Sequence, residues 1–248
     1  MKFNFKNKFI LVTGSTKGIG LNTALYLTKL GGNVIFNSRS NNFSLPKLKA
    51  LNYIKADVSD EIDAKKLCIE IKKRYGLIDH IVCNVGDGRL TKEETGSPKE
   101  LDIMLRKNLY STVNVVNAGK KILKKNTSSI VCISSIAGVQ NVGAPVGYQV
   151  AKASLNMYVK SMATLLSKKG IRINSIAPGN ILFKGSTWEE KIKMNKSEIM
   201  KMINKEVILK RFGTPEEISM FIIFLLSKFS SFSTGQTFLV DGGQIKSI

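Results

Sequence analysis

Phe9-Ile10-Leu11-Val12-Thr13-Gly14-Ser15-Thr16-Lys17-Gly18-Ile19-Gly20 holds the pattern that decides the fold. Four apolar residues in a row read as a buried strand. The glycine-rich segment that follows is a turn. Residues 21–30 then place apolar side chains at helical spacing, and Gly31-Gly32 ends that helix. Strand, glycine turn and helix form the setting of a dinucleotide-phosphate site. Glycines let the backbone approach a pyrophosphate, and a helix N-terminus offers free N–H groups at the positive end of its dipole. The spacing is Gly-x-x-x-Gly-x-Gly, at Gly14, Gly18 and Gly20.

The pattern then repeats along the chain. Strand-like runs fall at residues 9–13, 33–37, 53–56, 78–83, 130–134, 172–176 and 237–240. Helical patterns lie at residues 18–30, 61–75, 98–124, 148–167 and 215–227. Strands alternating with helices predict one α/β domain over residues 1–248, a doubly wound parallel sheet with helices on both faces. Two segments read as irregular. Residues 39–52 make a short connection containing Pro46, with room for one or two helical turns. Residues 180–205 mix Trp188 and several methionines with many charges.

Tyr148 and Lys152 stand four residues apart, so a helix puts them on one face. An ammonium beside a phenol favours the phenolate, which predicts a Tyr148 pKa below the usual value of about 10. Such a tyrosine exchanges protons with a carbonyl or alcohol oxygen at neutral pH. Upstream lies Ser134-Ser135, and a hydroxyl there can polarise the same oxygen. On a strand the two serines face opposite ways.

These motifs together resemble the short-chain dehydrogenase/reductase family, nearly end to end. The turn from Thr13 to Gly20 is similar to the family's cofactor turn, with Gly14, Thr16, Lys17, Gly18, Ile19 and Gly20 as cofactor-binding candidates. Asp57-Val58 matches the pair beside the adenine, and Asn84-Val85-Gly86 stands where the family usually has Asn-Ala-Gly. Asn108, Ser135, Tyr148 and Lys152 match the catalytic tetrad, with Ser135 at the family spacing from Tyr148. Pro178-Gly179 matches the turn beside the nicotinamide, followed by Ile181. Residues 211–217 and Val240-Asp241-Gly242-Gly243 match C-terminal signatures.

The resemblance implies a Rossmann fold with strand order 3-2-1-4-5-6-7. It implies that Lys152 also binds the nicotinamide ribose, that Asn108 holds a water linking Lys152 to solvent, and that residues 180–206 form a substrate lid. It implies a homotetramer built through residues 98–124, residues 148–167 and the C-terminal strand. Phe183 stands where many members have a cofactor-binding threonine, which makes Phe183 and Trp188 candidates for the substrate wall.

NAD-using members place an acidic residue at the end of the second strand. Here that position is Ser38, followed by Arg39, and Lys17 lies in the glycine turn. Both cations can pair with a 2′-phosphate, which points to NADP(H). The family's activity is hydride transfer between the cofactor and a carbonyl. The leading expectation is reduction of a 3-oxoacyl thioester on acyl carrier protein or CoA, as in fatty acid biosynthesis, with Lys124-Lys125 and Lys168-Lys169 attracting an acidic carrier at the pocket mouth. Reductases of sugars, polyols, steroids or small ketones share the same core. A non-catalytic NADP(H)-binding sensor is the reading of another class; the intact tetrad argues against it.

Bulk properties narrow the partners. The net charge is +20, yet arginine occurs only at positions 39, 74, 89, 106, 172 and 211, and the lysines are spread along the chain. No nucleic-acid-binding motif accompanies them, so no nucleic acid is expected. Residues 218–226, the longest apolar stretch, cover half a membrane span and predict a buried helix. Cys68, Cys83 and Cys132 lack metal-ligand spacing; Cys83 and Cys132 end apolar runs and read as buried thiols, and the odd count points to a reducing, cytoplasmic setting. No metal is expected, and the lone histidine, His80, reads as structural.

Overall fold

The computed structural model describes residues 2–40 and 52–246. Seven parallel strands form one sheet: β1 (Phe9–Val12), β2 (Asn33–Ser38), β3 (Tyr53–Lys55), β4 (His80–Cys83), β5 (Ser129–Ile133), β6 (Arg172–Pro178) and β7 (Thr237–Val240). Their order is β3-β2-β1-β4-β5-β6-β7, the doubly wound arrangement anticipated above. Side-chain alternation divides each strand between two cores. On one face Ile10, Val12, Val34 and Phe36 meet Ala24 and Leu27 of α1 (Gly18–Lys29) and Ile218, Ile222 and Leu226 of α7 (Pro215–Leu226). On the other, Leu11, Ile35, Ile81 and Ile130 meet α2 (Glu61–Tyr75), α4 (Ser111–Gly119) and α5 (Val146–Ser167). Burial on both faces is why the central strands β1 and β4 are dominated by apolar residues, whereas the edge strands β3 and β7 are partly exposed.

Helix starts follow their caps. The Asp60 carboxylate accepts from the Asp63 N–H at the start of α2. Thr214 and Glu217 form a reciprocal capping box on α7, with Pro215 in the first turn. No helix among the described residues is long and apolar enough to cross a membrane. His80 is buried, and its Nδ1 accepts from the Ser129 N–H at 3.2 Å. Desolvation pushes its pKa down to about 4.

Two expectations need correction. The pattern over residues 98–124 is not one helix. It is α3 (Pro98–Leu105), a π-helical turn (Arg106–Tyr110) and α4, which stops at Gly119. Gly119 lies so close to the sheet that a Cβ there would come 2.5 Å from the Ile81 side chain. The chain then bends, and Ile122 and Lys124 pair their backbones with Ile78. The second correction is α6 (Thr187–Glu206), where the sequence reads as irregular. Within it, Trp188, Ile192, Ile199 and Ile203 recur at helical spacing, but they are set among many charges. Ser186 caps its start, and it kinks at Asn195, whose side chain caps the Glu198 N–H. The expected short connection after Arg39 lies mostly outside the described residues.

Candidate active site

The site forms along the carboxyl ends of the strands, where the order reverses between β1 and β4. The glycine turn is held from two sides. Ser15 exchanges bonds with the β2 backbone, donating its N–H to Asn37 O at 3.0 Å and accepting from Asn37 N at 2.9 Å. From β4, the Asn84 amide donates to Thr13 O at 3.2 Å and to Gly14 O at 3.1 Å. Asn84 is thus engaged with the turn itself. A Cβ at Gly20 would lie 2.4 Å from both Gly14 O and the Asn84 amide, so only glycine fits there. Val85 packs against Gly14.

The cradle fits a dinucleotide pyrophosphate. Lys17 opens α1 with no side-chain cap on the first turn, which leaves the initial N–H groups for an anion. Lys17 and Arg39 are both exposed beside it, and no carboxylate stands at the end of β2. Ser38 turns inward, its hydroxyl 3.0 Å from the Tyr53 hydroxyl. Asp57 caps its own turn, with Oδ1 accepting from Ser59 N and Oγ, while Val58 is buried. Gly179 backs onto Asp241, and Ile181 is buried against Gly213.

The tetrad residues converge from three elements. Lys152, on α5, is 3% exposed and donates its Nζ to Ile133 O at 2.8 Å. Its Nζ lies 5.8 Å from the centre of the Tyr148 ring. The Ser135 side chain reaches the Tyr148 phenol and lowers its pKa. Ser134 is instead buried beneath, donating to Lys152 O at 3.4 Å. Asn108 lies in the π turn, fully buried, with its amide bonded to both backbone groups of Asp87: Oδ1 accepts from Asp87 N at 2.8 Å and Nδ2 donates to Asp87 O at 3.0 Å.

The expected depression of the Tyr148 pKa is overturned. Burial raises it, Ser135 pulls it back in part, and the Asp87 charge raises it further. The ammonium that was to lower it faces the Ile133 carbonyl, and burial drops Lys152 itself to about 8.

Three more placements bear on the sequence reading. Phe183 lies over the glycine turn, where a Cβ on Gly18 would come 2.6 Å from its ring. It therefore stands beside the cofactor turn. Trp188 packs on Phe212, ring centres 5.5 Å apart, and pins the start of α6. Lys124 bonds Asp79 ahead of β4, and Lys169 pairs its backbone with Asn126 ahead of β5 and β6. Both lysine pairs thus lie at the amino edge, opposite the site, and cannot flank its mouth.

Asp87 and Arg89 went unread in the sequence. The signal was present: a carboxylate between two glycines, directly after Asn84-Val85. Asp87 Oδ1 accepts from Arg89 N at 3.2 Å and Nη1 at 3.1 Å. Arg89 continues to Glu190 of α6 at 2.8 Å and to Gly185 O at 2.9 Å. No group of metal-ligating side chains occurs among the described residues.

A doubly wound sheet, a glycine cradle at its switch point and a Ser-Tyr-Lys cluster beside it define a dinucleotide-dependent oxidoreductase. A family model described as enoyl-(acyl carrier protein) reductase matches residues 14–244, and the chain belongs to the short-chain dehydrogenase/reductase family. It is 33% identical to a 3-oxoacyl-(acyl-carrier-protein) reductase of Chlamydia muridarum, covering 96% of this chain and 97% of that protein. It is 29% identical to a glucose 1-dehydrogenase of Gluconobacter oxydans, covering 98% and 93%. Among solved structures, L-sorbose reductase from Gluconobacter frateurii, complexed with NADPH and L-sorbose, superposes with a TM-score of 0.89 at 26% identity over the full length of both chains. An NADPH-bound short chain oxidoreductase from Pseudomonas aeruginosa with an atypical catalytic center gives 0.88 at 25%, covering 99% and 100%.

Proposed function

We propose that the chain is an NADP(H)-dependent carbonyl reductase. The observation that carries this reading is the convergence of Ser135, Tyr148 and Lys152 beside a glycine cradle with no acidic residue at the end of β2. NADPH, when bound, supplies the hydride. Lys17 and Arg39 hold the 2′-phosphate. Ser135 donates a hydrogen bond to the substrate carbonyl oxygen, and Tyr148 gives that oxygen its proton. A raised phenol pKa keeps the proton in place until negative charge develops on the oxygen. Lys152 holds the cofactor ribose and sits ready to resupply the proton. Asn108 positions the loop that passes over Lys152.

Two substrate classes follow. A 3-oxoacyl thioester is supported by full-length similarity to reductases of that name. A hydroxylated ketone of the sugar or polyol class is supported by the charged Asp87–Arg89 pair beside Tyr148, a poor wall for an acyl chain. We further propose a cytoplasmic homotetramer, supported by Val150, Met157 and Leu165 exposed along α5.

The test is NADPH oxidation with acetoacetyl-CoA, small ketones and keto-sugars, with NADH in parallel. Turnover with NADPH that vanishes in Tyr148→Phe is the expected result. Undiminished turnover in that variant overturns the reading.

A further inference from the structure

Asp87 is held more tightly than a loop residue requires. Asn108 bonds both of its backbone groups, and Asn108 can reach them because the π turn presents it there. The flanking glycines allow a close approach to the catalytic side chains. A Cβ at Gly86 would lie 3.1 Å from Lys152 Nζ, and one at Gly88 would lie 3.3 Å from the Tyr148 ring. The backbone on either side of Asp87 is therefore fixed against the lysine and the tyrosine, and the Asp87 charge reaches the Tyr148 phenol. Its side chain is 35% exposed. Among the described residues only Arg89 bonds the carboxylate, and both bonds land on Oδ1. Glu190 and Gly185 O hold the rest of the guanidinium. The carboxylate is thus oriented and keeps acceptor capacity at the site.

We propose that Asp87 is a specificity-determining residue that accepts a hydrogen bond from a hydroxyl adjacent to the substrate carbonyl, so that the enzyme takes α-hydroxy ketones of the sugar or polyol class. An ionised carboxylate only accepts, so it selects a donor on the substrate. Asp87 and Glu190 together disfavour an anionic group at this rim. An acyl chain lying here would strip water from the carboxylate and return no bond. The inference rests on the carbonyl-reductase reading. In that reaction the carbonyl carbon gains the hydride of NADPH, its oxygen gains the Tyr148 proton, and C=O becomes CH–OH as NADPH becomes NADP+. Asp87 neither gains nor loses a bond.

The test compares 1-hydroxy-2-butanone with 2-butanone, a pair that differs by one hydroxyl. The full-length protein should favour the hydroxylated ketone in kcat/KM by about tenfold or more, since sites that hydrogen-bond a substrate hydroxyl discriminate strongly against analogues lacking it. Asp87→Ala should bring that ratio close to one. Asp87→Asn preserves the shape of the side chain and should give an intermediate ratio; it serves if the alanine variant fails to fold. A ratio near one in the wild type overturns the proposal. So does a ratio unchanged in both variants, which would give Asp87 a structural role only. Sorbitol binding to the protein–NADP+ complex, followed by the fluorescence of the single tryptophan, Trp188, needs no turnover. Binding weakened about tenfold by Asp87→Ala supports the hydroxyl contact even if no ketone is reduced, and the failure then belongs to the reductase reading. Equal binding by both proteins overturns the contact whatever the kinetics show.

Discussion

Two buried ionisable groups sit at opposite edges of the same sheet and are treated differently. At the amino edge, Asp79 has no exposure, yet it accepts from Phe9 N at 2.9 Å, from Lys8 Nζ at 3.0 Å and from Lys124 Nζ at 3.0 Å. Burial pushes its pKa up, but the Phe9 N–H and the two lysines together hold it below the ordinary value. At the carboxyl edge, Lys152 is almost as buried, and among the described residues the one bond of its ammonium is to a neutral carbonyl. Burial wins there and brings it down to about 8. One charge is answered within the chain. The other is kept under-partnered, which suits the binding and proton exchange proposed for Lys152.

The sharpest way to break this contrast is at Tyr148. Tyr148→Phe should lower kcat by roughly 10³-fold or more, within the range of general acid–base contributions. NADPH affinity, measured by fluorescence titration, should change by less than about threefold, because in the proposed mechanism the phenol serves the substrate oxygen and not the cofactor. Next comes Asp79→Ala, which leaves the Phe9 N–H and two lysines without their acceptor. Urea unfolding should show a loss of about 2–4 kcal/mol, below the largest values for buried pairs because both lysines are about 40% exposed. The sign with pH follows from the depressed carboxyl. Its stabilisation is present above the unfolded value near 4 and is lost as pH falls through the lower folded value. Asp79→Asn should lack that acid dependence.

Lys152 should shift stability with pH in the same direction but for the opposite reason, because its charged form is the one the fold disfavours. Its folded pKa of about 8 lies below the ordinary 10.5, so between those values the unfolded chain binds the proton more tightly. Wild-type stability should therefore rise with pH across that window, by at most about 3 kcal/mol, relative to Lys152→Met. Parallel curves for the two proteins would refute the under-partnered lysine. The smallest effect belongs to the cofactor rim. The double variant Lys17→Ala with Arg39→Ala should cut the NADPH over NADH preference in kcat/KM about tenfold, the loss of one or two exposed charge-assisted bonds.

Much of this was legible in the sequence, for identifiable reasons. The central strands are short, largely apolar runs buried on both faces, and the helices at residues 61–75 and 215–226 carry strong caps, so the limits of those two helices fall within a residue of the pattern. The helix at residues 187–206 was harder to read, because its apolar positions, Trp188, Ile192, Ile199 and Ile203, are diluted among many charges and a kink at Asn195 interrupts it. Tyr148 and Lys152 could be found, but not their protonation. Spacing places two side chains on one face; it does not show that the ammonium points at Ile133 O. The lysine pairs failed for a similar reason. Chain position did not reveal that Lys124 closes the far edge of the sheet against Asp79. Asp87 was visible only as a glycine-flanked acid, and its importance depends on an asparagine twenty-one residues later.

That asparagine depends on one extra residue in the helix. A π turn amounts to a single insertion into an α-helix. Deleting one residue from positions 106–110 would let α3 and α4 run on as a regular helix. It would also rotate one half of that helix against the other by about a hundred degrees. Either Asn108 would leave the loop or α4 would leave the core. A shorter and more regular chain would thus be a poorer catalyst, and length at this point is a functional trait that no single substitution can replace.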